Sequence, residues 1–196
     1  MNCKLMELGS LVSIKTGAPM SRAKKIEKGD EISSVKVLVP GAMNAGQIDD
    51  KQLILEQISR VKNGLFTREG DIILKSSTPY DCVFIDKKNE GLLVTSFGLI
   101  LRPLHPVKIN MCYLAAYLEL EQTNKELQAL SKGISIQLIK KRDLSELLIP
   151  VPSQEIQEQI AKIFKLIQNQ KKLCREISNE SNLLLHSEFA NLIIRN

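Results

Sequence analysis

The sequence predicts an α+β protein: a mixed, β-rich globular domain over residues 1–152, then one long coiled-coil helix over residues 153–196. Three observations carry this. Short apolar runs bounded by Gly, Pro and Asn recur through the first half of the chain, which is the pattern of short strands. Helical spacing replaces them after Asn110. From Ser153 to the last residue there is no Gly and no Pro, so nothing interrupts a helix there. Strands first, helices next and a rod last define an α+β domain with an appended helix.

Leu5, Leu8, Leu11, Val12 and Ile14 are spaced like a short opening helix, ended by Gly17-Ala18-Pro19. Ser21 to Asp30 is polar and basic, with Arg22, Lys24, Lys25 and Lys28, and reads as a long loop. Val35 to Val39 reads as a strand stopped by Pro40-Gly41, and Gln52 to Ile58 as a weak strand or turn before the turn signal Asn63-Gly64. Asp71 to Lys75 is a strand leading into the polar loop Ser76-Ser77-Thr78-Pro79-Tyr80. Cys82–Ile85, Leu92–Thr95 and Phe97–Leu101 are further short strands, with a turn over Asp86 to Gly91 between the first two. Asn110 can cap a helix running through Met111, Leu114, Ala115 and Leu118, because its side-chain oxygen can accept from the free N–H groups of the first turn. A second helical piece, Thr123 to Leu130, ends at Gly133, and Ile134 to Leu148 is mixed around the basic run Lys140-Lys141-Arg142. No internal repeat is visible.

The rod follows the apolar run LLIPVP. Ser153 is a good N-cap, and Glu155 and Glu158 sit where the positive end of the helix dipole favours carboxylates. Ile160, Ile163, Ile167, Cys174, Ile177 and Leu184 then recur at spacings of three, four and seven, with Gln170 and Ser181 as polar interruptions. That is the narrow seam of a coiled coil. Some forty residues at about 1.5 Å each make a rod roughly 60 Å long, too long for one small domain to cover. The expectation is a rod that projects and pairs with another helix. The alternative is a surface helix folded on its own domain and broken near Ser178 to Asn182.

Composition narrows the function. The 196 residues are 43% hydrophobic and 25% charged, enough to bury a core. No apolar run approaches twenty residues, and MNCKLMELGS lacks a signal-peptide stretch, so a cytoplasmic protein without membrane association is expected. Cys3, Cys82, Cys112 and Cys174 form no C-x-x-C pair and read as free thiols. His105 and His186 have no metal-like neighbourhood, so no metal or cofactor is expected. The net charge is +5. Residues 1–152 hold 21 Lys and Arg against 17 Asp and Glu, and residues 153–196 hold six against five. This permits a polyanionic partner without demanding one. Gly41 and Gly46 have the spacing of a phosphate loop but no Lys-Ser/Thr follows, and neither G-x-G-x-x-G nor G-x-S-x-G occurs. Asp71, Lys75 and Glu69 are similar to a metal nuclease's residues, but a nuclease needs several carboxylates converging on the metal. Catalysis by this chain is not expected.

Taken together, five segments resemble the specificity subunit of type I restriction–modification systems. LGSLVSIKTGAPMSR resembles the family's leucine-glycine opening, TREGDIILKSS its central Gly-Asp-Ile-Leu strand, SFGLILRP the strand before its helix, and INMCYLAAYLE the Tyr-Leu helix. The most specific is KGISIQLIKKRDLSELLIPVPSQEIQEQIAKIF. Its Gly133, the Leu144-to-Leu147 spacing, Ile149-Pro150-Val151-Pro152 and Ile156-Gln157 match the family's junction between recognition domain and long helix. The family more often has Pro-Leu at Ser153-Gln154 and Glu at Ile156.

The resemblance implies a target-recognition domain that reads one half of a split double-stranded DNA site. It also implies a long helix that sets distance and docks a separate methyltransferase subunit, with a restriction subunit as a further partner. Family members usually hold two such domains and two antiparallel helices, whereas this chain has one of each. A homodimer with antiparallel rods would rebuild the full arrangement and read a split palindrome. A rod roughly 60 Å long places half-sites about one to two helical turns apart, one turn being about 34–36 Å. The predicted dimer interface is Ile160, Ile163, Ile167, Gln170, Cys174, Ile177 and Leu184, with Cys174 near the two-fold axis or, alternatively, an ordinary core cysteine.

DNA contacts are expected on loops, from cations that hold phosphates and from polar side chains that read base edges. The candidates are Arg22, Lys24 and Lys25; Ser76, Ser77, Thr78 and Tyr80; Lys132, Ser135 and Gln137; and Lys140 and Arg142 for phosphates. The rival for each is a plain solvated surface role. Two rival classes stand beside the whole reading: a coiled-coil adaptor that binds only proteins, and the metal nuclease.

Overall fold

The structure, a computed structural model, describes residues 3–23, 32–59, 61, 63–105, 108–130 and 138–193. In chain order the first elements are β1 (Lys4–Glu7), α1 (Leu8–Leu11), β2 (Val12–Thr16), α2 (Met20–Ala23), β3 (Ser33–Leu38), β4 (Met43–Asn44), β5 (Gln47–Ile48) and β6 (Ile54–Ile58). Then come β7 (Ile72–Lys75), β8 (Cys82–Phe84), β9 (Leu93–Val94) and β10 (Gly98–Pro103). The chain closes with α3 (Met111–Leu118), α4 (Glu121–Leu130), α5 (Lys141–Ser145), β11 (Leu148–Val151) and α6 (Gln154–Ile193).

The centre is a four-stranded antiparallel sheet in the order β2-β10-β7-β8. Successive side chains of a strand point to opposite faces, and here both faces are covered. Ile72, Leu74, Leu99 and Leu101 enter a core with Leu8, Leu11, Leu114, Leu118, Ala161 and Phe164 of the helices. Ile73, Val83 and Ile100 enter a second core with Leu38, Met43, Ile48 and Val94. Burial on both faces explains why β7 and β10 read as apolar runs rather than alternating ones, whereas β2 at the sheet edge alternates. A three-stranded sheet, β6-β3-β9, and the β4–β5 hairpin lie on the second side. β2 ends where Gly17 meets β9: a Cβ on Gly17 would stand 2.3 Å from the Thr95 carbonyl oxygen, so only glycine fits.

The opening stretch departs from the helix expected of it. It forms strand, one helical turn and strand. β1 pairs antiparallel with β11, from Lys4↔Val151 to Glu7↔Leu148. The Leu8 N–H adds a 2.8 Å bond to the Leu147 carbonyl. The Leu5-Leu8-Leu11 spacing that suggests a helix arises because Leu8 and Leu11 bracket that single turn, whereas Leu5 is exposed.

α3 starts as expected, the Asn110 carboxamide oxygen accepting from the Cys112 and Tyr113 N–H groups at 3.0 and 3.3 Å. The Tyr113 hydroxyl donates to the Pro150 carbonyl at 2.5 Å. α6 follows Ser153 directly and is unbroken for 40 residues, about 60 Å. The break near Ser178 to Asn182 does not occur. The helix runs beside α3: the Asn110 N–H donates to Gln157 Oε1 at 2.8 Å, and Gln157 Nε2 donates to the Pro152 carbonyl at 3.0 Å. Gln157, Ala161 and Phe164 are buried, so the first turns of the rod belong to the domain core. Every residue from Glu176 to Ile193 is exposed. Among the described residues no helix is long and apolar enough to cross a membrane.

Candidate nucleic-acid interface

Three of the sequence-predicted stretches meet at one end of the central sheet. The Ser96 N–H donates to the Ala18 carbonyl at 2.9 Å, the Ser76 N–H to Phe97 at 2.8 Å, and the Ile139 N–H to Ser76 at 2.8 Å. Ser77 forms an antiparallel bridge with Leu138. This ladder joins the turn before α2, the 95–97 turn, the β7–β8 loop and the segment leading into α5. It lies where β2 and β7 end and β10 begins, so strands hold all four loops.

The candidate side chains divide sharply at this end. Arg22 on α2, Thr78 and Lys140 are exposed, and Ser77 is half-buried. The Thr78–Pro79 peptide bond is cis. Arg142 is exposed on α5 and pairs with Glu146 at 3.3 Å, one helical turn away. Both partners of that pair face solvent, so the pair is weak and leaves the guanidinium usable. Lys24, Lys25, Lys132, Ser135 and Gln137 lie outside the described residues.

Two candidates are corrected by burial. Ser76 is 5% exposed, and its hydroxyl donates to the Phe97 carbonyl at 2.7 Å. Tyr80 is 2% exposed, with its ring in the main core. Both hold the loop rather than face a ligand. Conversely, Lys15, Thr16 and Ser96 are exposed polar side chains at this same end that sequence reasoning passed over. The end of an alternating strand gives a signal for Lys15 and Thr16. Ser96 becomes visible only once the 95–97 turn is placed between the other loops.

The residues of the nuclease reading do not converge. Asp71 is 1% exposed and accepts from Arg102 Nε at 2.8 Å and from the Arg102 terminal nitrogen at 2.6 Å. The Arg68 N–H adds a third bond to Asp71, at 2.8 Å. Arg102 also donates to the Phe66 carbonyl at 3.0 Å, and the Asp71 carboxylate raises the guanidinium's pKa above its ordinary value. Lys75, at the far end of β7, pairs with Asp81 at 2.8 Å. The Gly-Asp-Ile sequence thus serves a buried ion pair that ties the start of β7 to β10.

The rod carries two separate faces. Gln157, Ala161, Phe164, Gln168, Lys171 and Arg175 turn toward the domain, each buried or half-buried. Of the predicted seam, Ile163, Ile167, Gln170, Cys174, Ile177 and Leu184 are exposed, and Leu166 and Leu173 extend the apolar stripe. At 3.6 residues per turn the centres of the two faces lie about 130° apart. Ile160 is the exception: it is half-buried against the main core and belongs to the domain side. The seam therefore begins at Ile163.

This architecture, a doubly covered sheet whose polar loops share one end and whose long helix leaves an apolar stripe free, agrees with comparison to known proteins. The family model for the type I restriction modification DNA specificity domain matches residues 2–182. The chain belongs to that family, whose specificity subunits are non-catalytic. Among curated proteins no sequence match is found. The S subunit of a type I restriction–modification system from M. genitalium superposes with a TM-score of 0.63 at 20% identity, over 97% of this chain and 45% of that one. The HsdS subunit from Thermoanaerobacter tengcongensis superposes with a TM-score of 0.60 at 19% identity, over 89% of this chain and 39% of that one. A third structure, from work on assembly and conformational transition of the type I R-M system, gives a TM-score of 0.62 at 16% identity, over 97% and 49%. These likenesses show the fold, and the chain spans less than half the length of each of these structures.

Proposed function

We propose that the chain supplies one recognition domain and one spacer helix of a type I specificity assembly. The loop end of the central sheet reads one half of a split double-stranded DNA site. α6 sets the distance to the second half and docks a methyltransferase subunit, with a restriction subunit as a further partner. A second copy of the chain pairs antiparallel along the free stripe. The observation that carries this reading is the two-faced rod: one face anchors its own domain, and the other stays apolar and open from Ile163 to Leu184. Exposed leucines and isoleucines in heptad register favour pairing with another helix. That stripe is centred between Leu173 and Cys174, so an antiparallel two-fold falls beside Cys174.

The test is selection of binding sites from a random duplex library with the native complex. A two-fold assembly selects a split palindrome with half-sites about one to two helical turns apart. Failure to find a symmetric split site contradicts the homodimer. An adaptor that binds only proteins shows no salt-dependent DNA affinity, whereas phosphate contacts make affinity fall steeply with salt.

A further inference from the structure

Besides the burial of Ala161 and Phe164 in the core, the rod is tied along α3 by two polar attachments, one at each end. At the start, Gln157 bonds Asn110. At the other end Glu119, the residue that closes α3, accepts from Gln168 Nε2 at 2.9 Å and from Lys171 Nζ at 3.1 Å. The tip of the β4–β5 hairpin braces this second point. Gln47 Nε2 donates to the main-chain carbonyl of Gln168 at 2.7 Å.

The turn is shaped for that contact. Ala45 and Gly46 both have positive φ, 49° and 80°, as a two-residue hairpin of the primed type requires. A Cβ on Gly46 would stand 2.3 Å from Glu119 Oε1 and 2.8 Å from Gln168 Nε2. The Gln168 Oε1 atom is buried with no partner. The amide's orientation is nonetheless fixed, because a carboxylate can only accept and so must face the amide nitrogen. Cavities of about 370 and 190 Å³ flank the hairpin tip, the first lined by Gln47 and Gln168 and the second by Glu119 and Lys171.

We propose that Gly46, Gln47, Glu119, Gln168 and Lys171 form a polar clamp that fixes the angle between recognition domain and rod. Resting on the function proposed above, the clamp thereby sets the separation of the two half-sites. Beyond Lys171 the helix continues for 22 residues to Ile193, about 33 Å at 1.5 Å per residue, and every one of these from Glu176 on is exposed. A tilt of about 10° at the clamp moves the tip by about 6 Å, nearly two base-pair rises of about 3.4 Å. Small changes at Glu119 therefore become changes of whole base pairs.

The test places spin labels at Lys36→Cys on β3 and Glu180→Cys on the rod, in the full chain carrying Cys3→Ser and Cys174→Ser and diluted with unlabelled chain. The remaining thiols, Cys82 and Cys112, are buried. Pulsed dipolar spectroscopy then compares this parent with Gln47→Ala/Glu119→Ala, with Gly46→Ala, and with the control Glu121→Ala, which removes a carboxylate that pairs with Lys125 at the surface. The clamp predicts that the double variant doubles the width of the distance distribution or shifts it by about 6 Å, while Glu121→Ala leaves it unchanged. An unchanged distribution in the double variant overturns the proposal, and that variant carries the test if Gly46→Ala does not fold.

Duplex selection from a random library supplies the second reading. The parent is expected to select one spacer length, and the double variant a spread of lengths with the same half-site sequences. A moved rod with an unmoved spacer overturns the link to site separation. A parent that selects no DNA contradicts the function proposed above, and the clamp then stands or falls on the distances alone.

Discussion

Asp71 and Arg102 sit 31 residues apart in sequence and bond through two parallel contacts. Removing one partner of such a pair leaves an uncompensated charge, so Asp71→Asn is expected to cost on the order of 3 kcal/mol. Urea unfolding measures this directly, and an unshifted midpoint would show the pair to be dispensable. The sequence displays the Asp71 carboxylate but not its distant partner, which is why a metal nuclease stands among the rival readings. Burial separates the β7–β8 loop residues in the same way: Ser76 and Tyr80 look like their neighbours in a polar loop, yet one bonds Phe97 and the other fills the core. Lys140 is exposed at the loop end. Lys140→Ala should weaken binding to every duplex alike and lower the salt slope by about one. A loss confined to one base pair would instead make Lys140 a reader of sequence.

Elements with strong local signals are legible in the amino-acid sequence alone. β7 and β10 are buried on both faces over residues 72–74 and 99–101 and are apolar there, Asn110 caps α3, and α6 lacks any breaker. Elements defined by distant partners are not legible in this way. β1 is a strand because β11 pairs with it, more than 140 residues later, and nothing local in Leu5-Leu8-Leu11 says so. β11 holds Pro150, which argues against a central strand. It is tolerated because, among the described residues, β11 pairs with β1 alone and needs no N–H donor on its other side. On α6 the heptad spacing marks the stripe but cannot show that Ile160 turns inward with Phe164. Phe164 is 7% exposed in the main core. Phe164→Ala is expected to lower stability by about 3–5 kcal/mol, read from thermal or urea unfolding, with no loss if the rod were merely laid on the surface. Ile177 is 63% exposed on the free stripe. Ile177→Asp should release monomers in sedimentation while the circular dichroism spectrum stays that of the folded chain. Mild oxidation should link two copies through Cys174, and equal cross-linking by Cys174→Ser would refute the antiparallel register.

At the scale of the whole molecule, the chain has polar loops at one end of a buried sheet and a rod that extends far beyond its own core. The net positive charge is spread in proportion to length, with 21 Lys and Arg against 17 Asp and Glu over residues 1–152 and six against five over residues 153–196, so it does not by itself separate the partners of domain and rod. Eighteen exposed residues of helix, from Glu176 to Ile193, gain nothing from this copy's core and are stabilised by helix propensity and by whatever packs on them. The central claim is that two such rods pair and carry a methyltransferase. The measurement that tests it most directly is a tagged pull-down from the native host with the mass of the complex determined by light scattering. The account predicts two copies of this chain bound to a methyltransferase subunit. A lone monomer without a methyltransferase would contradict it.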